Sequence, residues 1–274
     1  MEFKSLNIIK EINECDNDAP LIHCITNPIS INDCANAVLA VGAKPIMAEH
    51  PKEVAEITRT AKALAVNLGN ITDARMESIR ISGEVARDMH IHSIIDIAGV
   101  ACSKLRLEYA QDYIRDIKPS VIKGNLSEIK ALMNIKTDAQ GVDASENDKV
   151  NEQNIVQIAK MLSSYSVMSG AVILASGKTD LIAENDNVYA INNGTEMLGK
   201  ITGTGCILNV LVASYLSNNS PLSSAIYATA LLGVCGEKAY TTKGAGTFHI
   251  NLMNQLSILR KSDVIDGVKI TKIM

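Results

Sequence analysis

Lys200-Ile201-Thr202-Gly203-Thr204-Gly205-Cys206-Ile207-Leu208-Asn209-Val210 decides how this chain is read. Its glycines let the backbone turn with N–H groups outward and let another molecule approach closely. The apolar residues beyond, through Leu211, Val212 and Tyr215, keep helical spacing. The positive end of that helix dipole faces back at the loop and suits a phosphate or another anion. Cys206 falls where the first turn begins, a position that makes thiols more reactive in general. An anion cradle with a proton acceptor at its lip points to phosphoryl transfer. The plain alternative is a helix cap with a small buried cysteine, since glycine loops before helices are common. The rest of the chain has to separate the two.

Upstream, short apolar runs alternate with amphipathic stretches. Residues 4–15 read as a helix with Leu6, Ile9 and Ile12 on one face. Pro20 to Ile25 reads as a strand, followed by the polar turn Thr26-Asn27-Pro28 and a helix from Asn32 to Ala40. Pro45-Ile46-Met47 reads as a strand and Pro51 to Ala61 as a helix with proline in its first turn. Ala63 to Leu68 is a nearly unbroken apolar run closed by Gly69, which fits a strand buried on both faces of a parallel sheet. A helix over Asp73 to Met89, a strand over Ser93 to Ile97, a helix over Arg106 to Ile117 and a strand over Ser120 to Ile122 follow. Lys123-Gly124-Asn125 reads as a loop, with Ser127 capping the helix that carries Glu128. Residues 140–148 read as a surface loop, Asn154 to Leu162 as a helix and Ala171 to Leu174 as a strand. Leu181 to Ala183 and Val188 to Ile191 form a hairpin. Helices over Cys206 to Ser217, Ser223 to Tyr240 and Thr247 to Leu259 come last, and Val264 to Met274 is either an edge strand or a tail.

This alternation predicts an α/β fold, a three-layer sandwich with a mostly parallel central sheet, and one domain over residues 1–274. In such sheets ligands bind beyond the carboxyl ends of the strands. Asp96, Lys123, Asn125, Glu128 and Ser176 all fall at or just past such ends.

Composition removes several function classes. Hydrophobic residues make up 47% and charged residues 20% of the 274, a globular balance. Aromatic residues are 3% with no Trp, and the net charge is −4 with no Lys/Arg cluster, so a nucleic-acid partner has no support. No apolar run approaches the ~20 residues of a membrane span, and Met1-Glu2-Phe3-Lys4 lacks the apolar core of a secretory signal. Six scattered cysteines without C-x-x-C spacing suggest reduced thiols in a cytoplasm. Cys24, Cys34, Cys102 and Cys235 read as small buried fillers and His249 as a core histidine. His90-Ile91-His92 reads as a helix-to-strand junction, because no third ligand accompanies the pair.

Several blocks together resemble hydroxyethylthiazole kinases: His23-Cys24-Ile25-Thr26-Asn27, Ala35-Asn36, Gly42-Ala43-Lys44-Pro45-Ile46-Met47, Lys123-Gly124-Asn125-Leu126-Ser127-Glu128-Ile129 and Gly203-Thr204-Gly205-Cys206. They keep that family's order and approximate spacing over nearly the whole chain, including Cys in place of the Asp that usually follows the glycine loop. The resemblance implies a ribokinase-like fold and transfer of the γ-phosphoryl of ATP to the alcohol of 4-methyl-5-(2-hydroxyethyl)thiazole. It implies Mg²⁺, and a homotrimer with the thiazole site between subunits. By motif, Met47 and Gly203 would meet the thiazole, and Asn27, beside the pocket, either contacts substrate or only caps the next helix. Lys123 and Ser176 would take the places of an ATP-binding Arg and Thr, with Asn125 and Gly205 beside the nucleotide. Asp96 and Glu128 would serve Mg²⁺, partly through water, and Cys206 would replace the superfamily's catalytic Asp. The chain departs from the family in Asp96-Ile97-Ala98-Gly99, where Asp-Pro-Val-Gly is usual, and in Lys123, which gives up the planar fork of Arg.

A related kinase of hydroxymethylpyrimidine type, an ATP-dependent dehydratase of hydrated nicotinamide nucleotides, and a non-catalytic thiazole or nucleotide sensor are the competing readings. The His23 to Asn27 block and Cys206 speak against the dehydratase, which keeps an Asp after its loop.

Overall fold

The computed structural model describes residues 7–15, 18–135 and 150–274. The surface loop read over 140–148 and the first three residues of the helix read over 4–15 lie outside them. Within that N-terminal stretch residues 7–10 are helical, and Ile9 and Ile12 are buried as expected.

Each apolar run becomes a strand of one nine-stranded sheet. In chain order these are β1 (Leu21–Ile25), β2 (Lys44–Ile46), β3 (Ala63–Asn67), β4 (His92–Asp96), β5 (Val121–Asn125), β6 (Val172–Ser176), β7 (Asp180–Glu184), β8 (Asn187–Ile191) and β9 (Ile270–Lys272). Their spatial order is β2-β1-β3-β4-β5-β6-β7-β8-β9. The first six are parallel, while β7 to β9 add antiparallel edge pairings. Alternate residues serve opposite faces. In β3, Ala63 and Ala65 enter one core and Leu64 and Val66 the other.

Helices cover both faces, giving the expected α/β layers. One face receives α1 (Ile31–Ala40), α7 (Thr204–Leu216), α8 (Pro221–Ala239), α9 (Ala245–Ile258) and α10 (Lys261–Gly267). The other receives α2 (Val54–Thr60), α3 (Asp73–Asp88), α4 (Lys104–Ile117), α5 (Leu126–Leu132) and α6 (Ile155–Ser169). α7 and α8 are buried nearly all round, which is why they lack the polar stripe of a surface helix.

Some expectations are corrected. Lys123-Gly124-Asn125 is the end of β5 rather than a loop, because it pairs in register with Leu174-Ala175-Ser176 of β6. Asn125, not Ser127, caps α5. Its side-chain oxygen accepts the Glu128 N–H at 2.9 Å, and Glu128 in turn accepts the Asn125 N–H at 2.8 Å. Asn-x-x-Glu thus acts as a capping box, while Ser127 lies buried inside the first turn. Pro51 sits in a turn ahead of α2, and α6 runs seven residues past Leu162 to Ser169, where Gly170 in the left-handed region ends it.

The C-terminal stretch resolves into α10 and the edge strand β9, antiparallel to β8. Cys24, Cys34 and Cys235 are buried, but Cys102 is exposed in the loop before α4. His249 is half-buried rather than a core residue, with Nε2 3.1 Å from the Asp33 carboxylate. His92 is exposed at the start of β4, with Nδ1 2.7 Å from the Ser120 hydroxyl, and His90 adopts a positive φ of 56° at the turn out of α3.

Replacing Asn125 with Ala removes one half of the capping box. The expected cost is about 1 kcal/mol of unfolding free energy, read from urea denaturation of the ligand-free protein. An unchanged midpoint and slope would show that the cap contributes nothing.

Candidate active site

Three strand ends build the floor. Asn67, Asp96 and Lys123 are lateral neighbours in register across β3, β4 and β5. Strand parity therefore points all three to the same face, the one covered by α7. Asp96 and Lys123 are buried and form an ion pair at 2.7 Å. The same Asp96 oxygen accepts from Asn67 Nδ2 at 3.0 Å. Burial works against the Lys123 ammonium, but Asp96 outweighs it, and the Lys123 pKa is raised.

Glu128 stands at the first turn of α5, and both of its oxygens are engaged. One accepts the Gly99 N–H at 2.7 Å and the other the Asn125 N–H at 2.8 Å. Burial and the Asp96 charge nevertheless push its carboxyl up to about 7. Two buried carboxylates thus share one buried ammonium, and hard oxygen donors with surplus negative charge fit a divalent cation held in part through water. Among the described residues no cluster of three or more His, Cys, Asp or Glu side chains is disposed to enclose a metal.

α7 supplies the roof. Gly203, its N-cap residue, has a φ of 91°, a conformation that glycine adopts without strain. A Cβ there would lie 3.0 Å from the Ser30 Cβ. A Cβ on Gly205 would lie 3.1 Å from Lys123 Nζ, so the ammonium sits directly under the first turn. The α7 N–H groups and the Lys123 charge thus converge on one spot, a site for an anion. Cys206, half-buried in that turn, has its sulfur 3.2 Å from Asn27 Nδ2 and 3.3 Å from Asn67 Nδ2.

The structure brings Cys206, Asn27, Gly203, Gly205, Lys123, Asp96, Glu128 and Asn125 into one continuous site. Asn27 uses its amide nitrogen on Cys206 and its oxygen on the Ile29 N–H and the Ser30 hydroxyl, at 3.1 and 3.3 Å. Ser176 flanks the site on β6, its hydroxyl donating to the Gly124 carbonyl at 3.3 Å. Met47 stands at the other side, half-buried just past the end of β2 and packed against the α1-side core.

Two members escaped the sequence reading. Asn67 was hidden inside the apolar run over Ala63 to Leu68, yet it is the one polar side chain there, and it sits where the strand ends. Asp180 opens β7, and its carboxylate accepts the Gly177 N–H at 2.9 Å. The residue keeps part of its surface in solvent, yet desolvation of the carboxyl pushes it up to about 7 against the pull of that N–H and of Lys123. The signal available for it was the Ser-Gly-x-x-Asp spacing from Ser176 to Asp180.

A parallel sheet with a helix N-terminus, a buried lysine and buried carboxylates gathered at its carboxyl edge has the layout of a small-molecule phosphotransferase. The comparisons with known proteins give the family. The sequence pattern of the hydroxyethylthiazole kinase family matches residues 12–262, and the chain belongs to that family. It is 49% identical over 251 residues to a Clostridium botulinum protein called hydroxyethylthiazole kinase 2, covering 92% of this chain and 95% of the relative. It is 38% identical to hydroxyethylthiazole kinase 1 of Methanosphaera stadtmanae, covering 99% of each. A solved structure of a hydroxyethylthiazole kinase protein from Pyrococcus horikoshii superposes with a TM-score of 0.86 at 26% identity, over the full length of both chains.

The Asp180 geometry carries a sign for the pH dependence of stability. An acid whose native value lies above its ordinary 3.8 holds its proton more tightly when folded. Its contribution to stability is therefore greatest below that ordinary value. It falls as pH rises towards about 7 and is level above. Asp180→Asn keeps the acceptor for Gly177 and removes the titration. Urea unfolding from pH 4 to 8 should show the wild type losing stability relative to this variant up to about pH 7. Parallel curves would contradict the raised value.

Proposed function

We propose that this protein transfers the γ-phosphoryl group of ATP to the hydroxyl of 4-methyl-5-(2-hydroxyethyl)thiazole, a step of thiamine salvage. The observation that carries the reading is the convergence of the α7 N-terminus, Lys123 and Cys206, in a chain of this family. The triphosphate lies over the ends of β5 and β6, served by Lys123, Asn125, Ser176 and Gly205. The thiazole lies on the side of Met47 and Gly203.

Phosphoryl transfer needs alignment and charge neutralisation above all. The N–H groups of the Gly203 to Cys206 turn receive charge developing on the transferred group, and Lys123 offsets it from below. Asp96 and Glu128 would hold Mg²⁺ through oxygen and water, and the ion would offset triphosphate charge. Cys206 accepts the proton of the attacking alcohol as its thiolate, which leaves the step as a neutral thiol.

The reading includes a single catalytic domain in the cytoplasm and a homotrimer with shared sites. No described helix is long and apolar enough to cross a membrane. Ile29, next to the site, and Leu39 on α1 and Ile250 on α9 expose apolar side chains on the α1–α9 side, which supports association there.

Purified protein with MgATP is expected to release ADP only when hydroxyethylthiazole is present. ADP release with hydroxymethylpyrimidine instead would reassign the pocket. Thiazole-dependent thermal stabilisation without ADP would leave a binder.

A loose transition state asks little of a base. Cys206→Ala should lower kcat by about tenfold to a hundredfold without abolishing it, whereas Cys206→Asp keeps or raises activity. Complete inactivity of the Ala variant at saturating substrates would overturn this role.

A further inference from the structure

The orientation of two amide side chains in the site is fixed by their backbone partners. Asn67 Oδ1 accepts the Gly69 N–H at 2.7 Å, and Asn27 Oδ1 accepts the Ile29 N–H at 3.1 Å. A backbone N–H can only donate, so the oxygen of each amide faces the backbone and its NH₂ faces away. Both NH₂ groups end on the Cys206 sulfur, at 3.2 Å from Asn27 and 3.3 Å from Asn67. They approach from different elements: Asn27 from the turn after β1, Asn67 from the end of β3. A sulfur facing two N–H donors is held as a hydrogen-bond acceptor, the role it needs to receive the alcohol proton. Both residues are buried, at 0% exposed for Asn67 and 6% for Asn27. Neither amide has conformational freedom to lose when substrate arrives.

We infer that Asn67, together with Asn27, is a positioning residue for the kinase reaction, acting through the Cys206 sulfur. The inference rests on the kinase reading above. Asn67 also donates to Asp96, but Asp96 has the Lys123 ammonium at 2.7 Å as its principal partner. For Cys206 the hydrogen-bond donors among the described residues are these two amides. Loss of Asn67 therefore falls mainly on the sulfur. Neutral amides also serve a carboxylate as well as a sulfur, which fits a site able to accept Asp at position 206.

The test is a double-mutant cycle on the full-length protein. Asn67→Ala should lower kcat for thiazole phosphorylation about fivefold to tenfold, the worth of one to two neutral hydrogen bonds. The KM for MgATP and for the thiazole should stay within about twofold. In a Cys206→Ala background the same substitution should cost less than about twofold, because the group it orients is gone. In a Cys206→Asp background it should again cost about fivefold or more. Asn27→Ala reads the same sulfur from the other element and should follow the same pattern, which keeps the test open if the Asn67 variant fails to fold.

Equal losses with and without the Cys206 sulfur would overturn the inference, as would no loss in the wild-type background. A wild type that does not phosphorylate the thiazole would overturn the kinase reading, and the inference with it. An active wild type whose losses are independent of Cys206 would sink the inference alone.

Discussion

The Asp96–Lys123 ion pair is the constraint on which the site depends. Both groups are buried at the carboxyl edge of the sheet, and a buried charge is tolerated only when paired. Removing one partner of such a pair typically costs about 3–5 kcal/mol, because the other is left uncompensated. The pair exists because β4 and β5 are adjacent, parallel and in register at these residues. That adjacency also sets Asn67 on the other side of Asp96. Lys123 is the one buried lysine among the described residues, and it lies beneath Gly205, where a larger residue would crowd its ammonium. The glycine of the α7 loop is therefore explained twice. It lets a ligand approach from outside, and it leaves room for the charge that lies below.

Backbone donors do much of the remaining positioning. Glu128 uses one oxygen to close the α5 cap and the other to hold the Gly99 N–H in the loop after β4. It thereby ties the ends of β4 and β5 together, as the ion pair does. The loop it holds is the one in which this chain has Ile97-Ala98 where its resemblance suggests Pro-Val. The loop is fixed without the proline. Ile97 donates its N–H to the Lys123 carbonyl at 2.9 Å, a bond proline could not make, and its side chain is fully buried beside Gly124.

How much of this was legible in the sequence follows from where the information sits. The alternating runs, the parallel strands and the glycine-loop helix were legible because burial on both faces of a sheet demands long apolar strands. Lys123-Gly124-Asn125 read as a loop because a charge, a glycine and an amide are poor strand formers. Tertiary context, the pairing with β6 and the Asp96 partner, overrode that propensity. Asn67 is hard to read for the opposite reason: the strand pattern of its neighbours accounts for the whole run, and its amide reads as the polar end of a strand. Ser127 reads as the cap in place of Asn125 because a loop over residues 123–125 moves the expected helix start along the chain, whereas the strand runs on to Asn125. His249 and Cys102 were misplaced because composition says what usually fills a core, not which face of a helix meets it.

The sulfur at position 206 sits beside an excess of carboxylates. Asp96 and Glu128 share Lys123, and Asp180 also feels that ammonium, so the neighbourhood already holds more carboxylate than cation. The upward push on Glu128 reflects burial and the Asp96 charge, and that on Asp180 reflects desolvation alone. A further anion in the first turn of α7, thiolate or carboxylate, would add to that push until a cation or the nucleotide's own counter-ion arrived. For a sulfur there to take the alcohol proton it must be a thiolate, which becomes a neutral thiol in doing so. The donors facing it are neutral amides rather than cations, so they orient the acceptor without adding a charge of their own. The helix dipole and Lys123 face the same spot from two sides, so the positive field at the N-terminus of α7 suits an anion arriving from outside.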